Sequence, residues 1–141
     1  MKKGFTLIEL LVVISIVGIL IGLSIFSLQG ARETSRDAKR KADLEQVRSG
    51  VEIYKSDCNK YPTSLSSPLV GDGSVTSCAV TNIYINQVPT DPISPTSDYS
   101  YSSDGIIYNV CAALEKAPSP AMDVTGCGSC TTTCNYKVTN P

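Results

Sequence analysis

The chain has 141 residues, enough for one small domain and one additional element, and its 12 basic side chains almost balance its 13 acidic ones. It contains no histidine, so the most common general base and metal ligand is absent, and we expect a protein that is not an enzyme. Six cysteines in so short a chain favour disulfide bonds and an oxidising compartment.

The first predicted element is a long apolar helix. Residues 5–28 are mostly apolar and would extend about 36 Å as a helix, enough to cross the hydrocarbon core of a membrane. Lys2 and Lys3 precede the run, which places the amino end on the cytoplasmic side and the rest of the chain outside. Glu9 is the exception in this run, because an unpaired carboxylate inside a bilayer costs roughly 3 kcal/mol. A simple signal anchor has no use for such a residue.

The segment KKGFTLIELLVVISIVGIL resembles the amino-terminal signal of bacterial type IV pilins and of the pseudopilins of type II secretion. The likeness lies in Gly4 followed by Phe5, with Glu9 four residues further on inside an apolar helix. It implies that a prepilin peptidase removes residues 1–4 as a leader and methylates the new amino terminus at Phe5. It also implies a helical filament of identical subunits, in which Glu9 neutralises the Phe5 amine of a neighbour, because each charge alone in an apolar bundle is costly.

Gly18 and Gly22 lie four residues apart in the same helix. Small residues at this spacing allow two helices to approach closely, so packing between subunits is one interpretation. Ordinary glycine usage in a membrane helix is the other.

Residues 29–58 continue the helix with an amphipathic pattern. Apolar or small side chains recur every three or four residues, and we expect this stripe to pack against a domain. The stripe consists of Leu28, Ala31, Ala38, Ala42, Leu44, Val47, Val51 and Tyr54. The charged run at 36–41 predicts a solvated face and no specific nucleic-acid partner, because residues 29–60 carry eight basic and six acidic groups, a net charge of only +2. One continuous helix is therefore expected from Phe5 to about Asp57.

Residues 59–141 are predicted to form an extracytoplasmic, β-rich domain, and all eight prolines lie there. A strand is expected at 81–88, whereas the three prolines of 88–95 exclude regular structure. A hairpin is expected around Asp104–Gly105, with its return strand at Ile106–Leu114. The predicted fold class is α+β. It combines a long amino-terminal helix, membrane-spanning in its first half and amphipathic in its second, with a small antiparallel sheet and a disulfide-stapled carboxyl-terminal loop region.

The cysteines allow fifteen pairings, so their connectivity is open. Cys127 and Cys130 form a C-x-x-C pair, but the βαβ context of a redox motif and the fourth ligand of a tight zinc site are not visible in the sequence. Structural disulfides are the better interpretation. We expect Cys58 to pair with Cys78, and Cys111, Cys127, Cys130 and Cys134 to join the tail to the hairpin.

Asp91, Asp98 and Asp104 lie close together in the predicted loops. Calcium takes about six to eight oxygen ligands, and some pseudopilins bind calcium in a comparable place, so these acids are candidate calcium ligands. Solvated turn residues are the alternative. No other cofactor is expected.

The resemblance implies a structural function. The first interpretation is a pilin of a type IV pilus-like filament, polymerised from an inner-membrane pool by an assembly platform and an ATPase motor and displayed on the cell surface. The alternative is a pseudopilin of a type II secretion system, which forms a periplasmic filament that drives protein export. Ser/Thr-rich, disulfide-bonded loops favour surface display, whereas the proline-aspartate segment favours the pseudopilin. A secreted enzyme on a signal anchor would leave Glu9 unexplained.

Overall fold

The computed structural model describes residues 4–141, apart from the side chains at positions 26 and 27. Lys2 and Lys3, and the rest of the predicted leader before Gly4, lie outside the described residues. The chain divides into two compact units, one up to Ser35 and one from Arg36 to Pro141. The predicted fold class is confirmed, because a long apolar amino-terminal helix is followed by small antiparallel sheets and disulfides in the carboxyl-terminal region.

Helix α1 runs Leu7–Cys58, close to the predicted range. No proline interrupts this stretch, so every interior residue can donate to the helical ladder. The helix ends where Asn59 adopts a φ of 60°, the left-handed conformation typical of the residue that follows a helix. The Asn59 N–H donates to the carbonyl of Lys55 at 2.9 Å, which satisfies one of the last carbonyls of the helix.

The described strands are short and antiparallel. They are β1 (Leu69–Val70), β2 (Ile83–Ile85), β3 (Ser100–Ser103), β4 (Tyr108–Ala112) and β5 (Tyr136–Thr139). β1 pairs with β2, and β3, β4 and β5 form a sheet with β4 in the centre. The predicted hairpin is β3–β4, with Gly105 in its turn at a φ of 89°. The strand expected at 81–88 is confined to β2, and β5 was not anticipated.

The core of the second unit lies between α1 and the sheets. Its helical members are Leu44, Val47, Val51, Tyr54 and Cys58, and its sheet members include Ile85, Tyr108, Val110, Ala112 and Val138. Each buried valine, leucine or isoleucine among them contributes about 1.5–3 kcal/mol by leaving water.

The predicted apolar stripe is wrong in its first half. Leu28 is 53% exposed, and Ala31, Ala38 and Ala42 are exposed as well. The face that continues Leu44 and Val47 toward the amino end carries Asp37 and Arg40 instead, at three- and four-residue spacing, and both are buried. Charged side chains thus occupy positions at which the pattern rule expects apolar ones.

Candidate functional site

The first turn of α1 is a capping box formed by Thr6 and Glu9. The Thr6 N–H and hydroxyl donate to Glu9 Oε2 at 2.9 and 2.7 Å, and the Glu9 N–H donates to Thr6 Oγ1 at 3.3 Å. Thr6 directly precedes the helix and Glu9 is its third residue, the arrangement in which two unpaired backbone donors are satisfied reciprocally. The pair fixes the helix start two residues after the Gly4–Phe5 bond.

Sequence reasoning selected Glu9 for its charge and overlooked Thr6. The signal was present, because Thr6-Leu-Ile-Glu9 has the T-x-x-E spacing of a capping box. The box supplies hydrogen bonds to the Glu9 carboxylate but no positive charge. Hydrogen bonds from Thr6 therefore hold the Glu9 side chain at the helix start, but they leave its negative charge uncompensated.

The first unit exposes its large apolar side chains. The most exposed are Phe5 and Leu7 at 80%, and the others between them and Leu28 are Ile8, Leu10, Leu11, Val12, Val13, Ile14, Ile16, Val17, Ile19, Leu20, Ile21, Leu23 and Ile25. Ser15 and Ser24 donate their hydroxyls to the carbonyls of Leu11 and Leu20 at 2.8 Å, so their polar groups are satisfied within the helix. By length and composition, the described part of α1 can span a membrane.

Gly18 and Gly22 face open space. A Cβ atom built at either glycine would meet no heavy atom within 4 Å outside the adjacent helix backbone. Nothing in the described chain packs on these positions, so close helix packing through them stays a prediction about contacts with other molecules.

All six cysteines are paired in the second unit. Cys58 pairs with Cys78 and joins the helix end to the first loop, and Cys111 pairs with Cys127 and joins β4 to the tail. The third bond differs from the expectation, because Cys130 pairs with Cys134 and closes a small ring inside the tail. The two cysteines of the C-x-x-C sequence thus have different partners.

The three candidate calcium ligands do not form one set. Asp91 and Asp98 line a cavity of about 390 Å³, whereas Asp104 lines another, of about 290 Å³, beside the β3–β4 turn. Asp104 accepts hydrogen bonds from the backbone of its own turn, which lowers the pKa of its carboxyl, and Asp98 accepts one from Ser94 Oγ at 3.0 Å. The expected grouping of these acids as one calcium site is wrong.

Asp91 instead belongs to a buried charge cluster around Arg40. Arg40 Nε and Nη2 donate to the two carboxylate oxygens of Asp91 at 2.7 and 3.1 Å, and Nη1 donates to Asp37 at 2.7 Å and to Glu115 at 3.0 Å. The side chains of Arg40 and Asp91 are fully buried. The hydrogen bond to Asp91 raises the pKa of Arg40 above its usual range. The expectation of a solvated face at 36–41 is therefore wrong for Asp37 and Arg40.

A second arginine closes this cluster on its outer side. Arg36 Nε and Nη2 donate to the two oxygens of Glu115 at 2.6 and 2.5 Å, a bidentate pair. Hydrogen bonding from Arg36, followed by that from Arg40, lowers the pKa of Glu115 from 4.5 to about 2. The cluster ties α1 to two loops that are far from it in sequence.

Two family models match successive parts of the chain. Residues 1–25 match the model of the prokaryotic N-terminal methylation motif, and residues 27–113 match that of type II secretion system protein G. The type II secretion system core protein G of Aeromonas hydrophila is 40% identical over 63 residues, which cover 45% of this chain and 44% of that protein. Its counterpart in Klebsiella pneumoniae is 35% identical over 109 residues, which cover 74% of this chain and 76% of that protein.

A pilus protein is also similar to the chain. The type IV wide pilus major component PilA4 of Thermus thermophilus is 42% identical over 71 residues, which cover 50% of this chain and 53% of that protein. The chain thus spans less than half the length of the Aeromonas relative and about half that of the Thermus one. No solved structure matches the chain significantly.

Proposed function

Because the chain belongs to the type II secretion system protein G family, we propose that it is a pseudopilin, a non-enzymatic structural subunit of a periplasmic filament that drives protein export. The observation that carries this proposal is the family match over residues 27–113, which extends past the shared amino-terminal signal through the buried half of α1 and the β3–β4 hairpin. This match favours the pseudopilin, which the sequence offered as the alternative, over the type IV pilin, which was its first interpretation.

The exposed apolar segment supports a membrane-held precursor. Side chains that find no partner within their own chain gain about 1.5–3 kcal/mol each when they leave water for lipid or for neighbouring helices. We propose that the segment at 5–28 holds the subunit in the inner membrane and then enters the core of the filament. The open faces of Gly18 and Gly22 would allow neighbouring helices to approach closely there.

Processing at the Gly4–Phe5 bond is part of the proposal. The match to the N-terminal methylation motif over residues 1–25 supports cleavage by a prepilin peptidase and methylation of Phe5. The partners would then be identical subunits, the peptidase, the inner-membrane assembly platform and its ATPase motor.

Glu9 has two separable roles in this scheme. Its capping bonds with Thr6 place the helix start, whereas its charge would compensate the amine created at Phe5 of a neighbouring subunit. Glu9→Gln preserves the capping geometry, since glutamine also functions at this position of a capping box, and removes only the charge. Thr6→Ala removes the two hydrogen bonds that the Thr6 hydroxyl makes in the capping box and keeps the charge.

These two variants test the pairing in source cells that lack the wild-type gene. If the charge is required, Glu9→Gln abolishes filament assembly and Thr6→Ala supports it, as judged by the amount of subunit that sediments with filaments. Normal assembly by Glu9→Gln, with failure of Thr6→Ala, would show that capping is the function of Glu9 and would end the pairing hypothesis.

The type of filament is tested by mass spectrometry and by secretion. A processed species that starts at methylated Phe5, stays with the cell envelope and is needed for export of secreted enzymes supports the pseudopilin. A chain that still starts at Met1 in every fraction would contradict processing and the assembly scheme built on it.

The second candidate is a type IV pilin. The similarity to the Thermus pilus component is the observation in its favour. An abundant processed species in the sheared surface fraction, together with unchanged protein export after gene deletion, would establish this candidate in place of the first.

A further inference from the structure

We propose that the second unit docks on the surface of the membrane that holds the precursor, and that it does so by binding anionic phospholipid headgroups. The docking surface, called the basal surface below, consists of the first turns of the second unit at 36–41 and of the loop at 116–122, the basal loop. This role rests on the proposed function, because it requires that the segment at 5–28 spans a bilayer.

The short connection to the apolar segment keeps the start of the second unit near the membrane surface. Leu28 ends the apolar run, and Arg36, eight residues later in the same helix, begins the second unit. Eight helical residues rise about 12 Å, and the headgroup layer covers about 5–8 Å of that height. Whatever the angle between the two units, Arg36 therefore lies within about 8 Å of the headgroups, which is one Debye length at physiological ionic strength.

Strand β4 brings the basal loop to the same end of the second unit. At the start of the strand, Tyr108 Oη donates to Glu52, near the end of α1, at 3.0 Å. Beyond its last residue, the N–H groups of Glu115 and Lys116 donate to Asp37, in the first turn of the second unit, both at 2.9 Å. β4 therefore runs back along α1 toward the membrane segment, and the basal loop leaves the unit at the end nearest to it.

The basal loop is exposed and largely apolar. Its sequence is KAPSPAM, with one basic residue, no acidic residue and two prolines that disfavour regular structure. Every residue except Pro118 is exposed, and Met122 is exposed by 40%. In the headgroup region, such a loop can turn its apolar side chains toward the acyl chains while its single ammonium group stays among the phosphates.

The charge of the second unit is distributed as an anionic surface requires. Five basic and three acidic side chains belong to the basal surface and the ion pairs behind it, a net charge of +2, whereas the rest of the unit carries four basic and eight acidic ones, a net charge of −4. The three acids are bonded to Arg40, and the three lysines are exposed. The eight residues are Arg36, Lys39, Arg40, Lys41, Lys116, Asp37, Asp91 and Glu115. The positive end of the unit is thus the end nearest to the membrane.

The test uses the full chain in lipid nanodiscs, with tryptophan as the probe because the sequence contains none. Met122→Trp places the probe in the basal loop. Ile106→Trp is the matched control, because Ile106 is 74% exposed in the β3–β4 turn, whose Gly105 carbonyl accepts from the Tyr61 N–H just beyond the far end of α1. The nanodiscs contain phosphatidylcholine alone or mixed with phosphatidylglycerol, and a spin-labelled lipid quenches any tryptophan at headgroup depth. Circular dichroism in detergent verifies that each variant is folded.

Two triple variants on the Met122→Trp background separate the effect of basal charge from that of total charge. One removes three positive charges from the basal surface, and the other removes three from the rest of the unit. The first combines Lys39→Gln, Lys41→Gln and Lys116→Gln, and the second combines Arg48→Gln, Lys55→Gln and Lys60→Gln. A basic group next to an anionic membrane surface strengthens binding about fivefold.

The probe at position 122 should be quenched in nanodiscs that contain phosphatidylglycerol, much less in phosphatidylcholine alone, and less at high salt. The basal triple variant should lower the ratio of docked to undocked units about tenfold or more, and the control triple variant should change it by less than about twofold. The probe at position 106 should stay unquenched in both lipids.

Equal quenching at position 122 in both lipids, or a basal triple variant that docks like its parent, would overturn the binding of anionic headgroups. No quenching in a chain that stays with the nanodiscs would overturn docking and leave the proposed function intact. A chain that does not stay with the nanodiscs would contradict the membrane-held precursor and docking together. A change in probe emission that follows the number of chains per nanodisc, and not the lipid charge, would assign the basal surface to a second copy and overturn the proposal.

Discussion

Gly50→Ala tests how closely α1 approaches β2. Gly50 is buried in the helix, and a Cβ atom at this position would overlap Cγ1 of Ile85 and lie 2.6 Å from its Cδ1. On an unobstructed helix this substitution stabilises by about 1 kcal/mol, because alanine has the higher helix propensity. The sign of the effect therefore reports whether the contact with Ile85 is as tight as the structure shows.

The steric cost should exceed the gain in propensity. Ile85 is only 4% exposed and β-branched, so its side chain has little room to turn away. Inserting a methyl group into such a packed site costs about 1–3 kcal/mol, and the overlap with two atoms places this site at the upper end. We expect a net loss of about 1–2 kcal/mol in the free energy of unfolding, or about 5–10 °C in Tm.

The assay is urea and thermal unfolding of the full chain in detergent, followed by the circular dichroism of its seven tyrosines. Ile85→Ala removes both overlapping atoms, so Gly50→Ala should become stabilising by about 1 kcal/mol on that background. The coupling energy of the double-mutant cycle is then about 2–3 kcal/mol. Gly22→Ala, which meets open space, is the control. A Gly50→Ala chain more stable than wild type would refute this reasoning.

Three further predictions concern the second unit. Replacing Cys58 and Cys78 together by alanine should cost about 3 kcal/mol in urea unfolding, because the bond closes a loop with a sequence separation of 20. Arg36 lowers the pKa of Glu115 from 4.5 to about 2, so the stability that Glu115 contributes is present above pH 4.5 and is lost as the pH falls toward 2. A Glu115→Gln chain should therefore approach wild-type stability in that range, as measured by Tm against pH. Tyr99→Phe should cost about 1.5–3 kcal/mol in urea unfolding, because the hydroxyl donates to a buried helix carboxylate at 2.7 Å. In wild type, burial raises the pKa of Tyr99, so the absorbance change that marks its ionisation should occur at a higher pH than for an ordinary tyrosine.

The elements that were predicted well are those set by local patterns. The helix range follows from an apolar run, a periodic run and the absence of proline before Pro62. The β3–β4 hairpin follows from Asp104–Gly105, since glycine adopts the positive φ that this turn requires. In both cases neighbouring residues carry the information.

The elements that were missed depend on partners distant in sequence. Arg40 looks solvated in a charged run, and besides nearby Asp37 its burial is compensated by Asp91 and Glu115, 51 and 75 positions away. Strand β5 forms because the tail returns to β4, with Val138 opposite Val110. The Cys130–Cys134 bond joins residues only four positions apart, but the sequence alone does not distinguish it from a bond to the hairpin. A window of twenty residues around Arg40 or around β5 contains none of these distant partners.

The capping box at Thr6 and Glu9 has a consequence for proteolysis. The residues from Gly4 to Thr6 are not helical, and the first helical residue is Leu7. Peptidases generally accept their substrates as extended backbone, whereas the interior of a helix keeps its amides within the ladder. A membrane protease could therefore engage the Gly4–Phe5 bond without unwinding any turn of the helix. The capping box fixes the first helical residue at Leu7. It would therefore also fix the number of non-helical residues between the Gly4–Phe5 bond and the helix in every molecule.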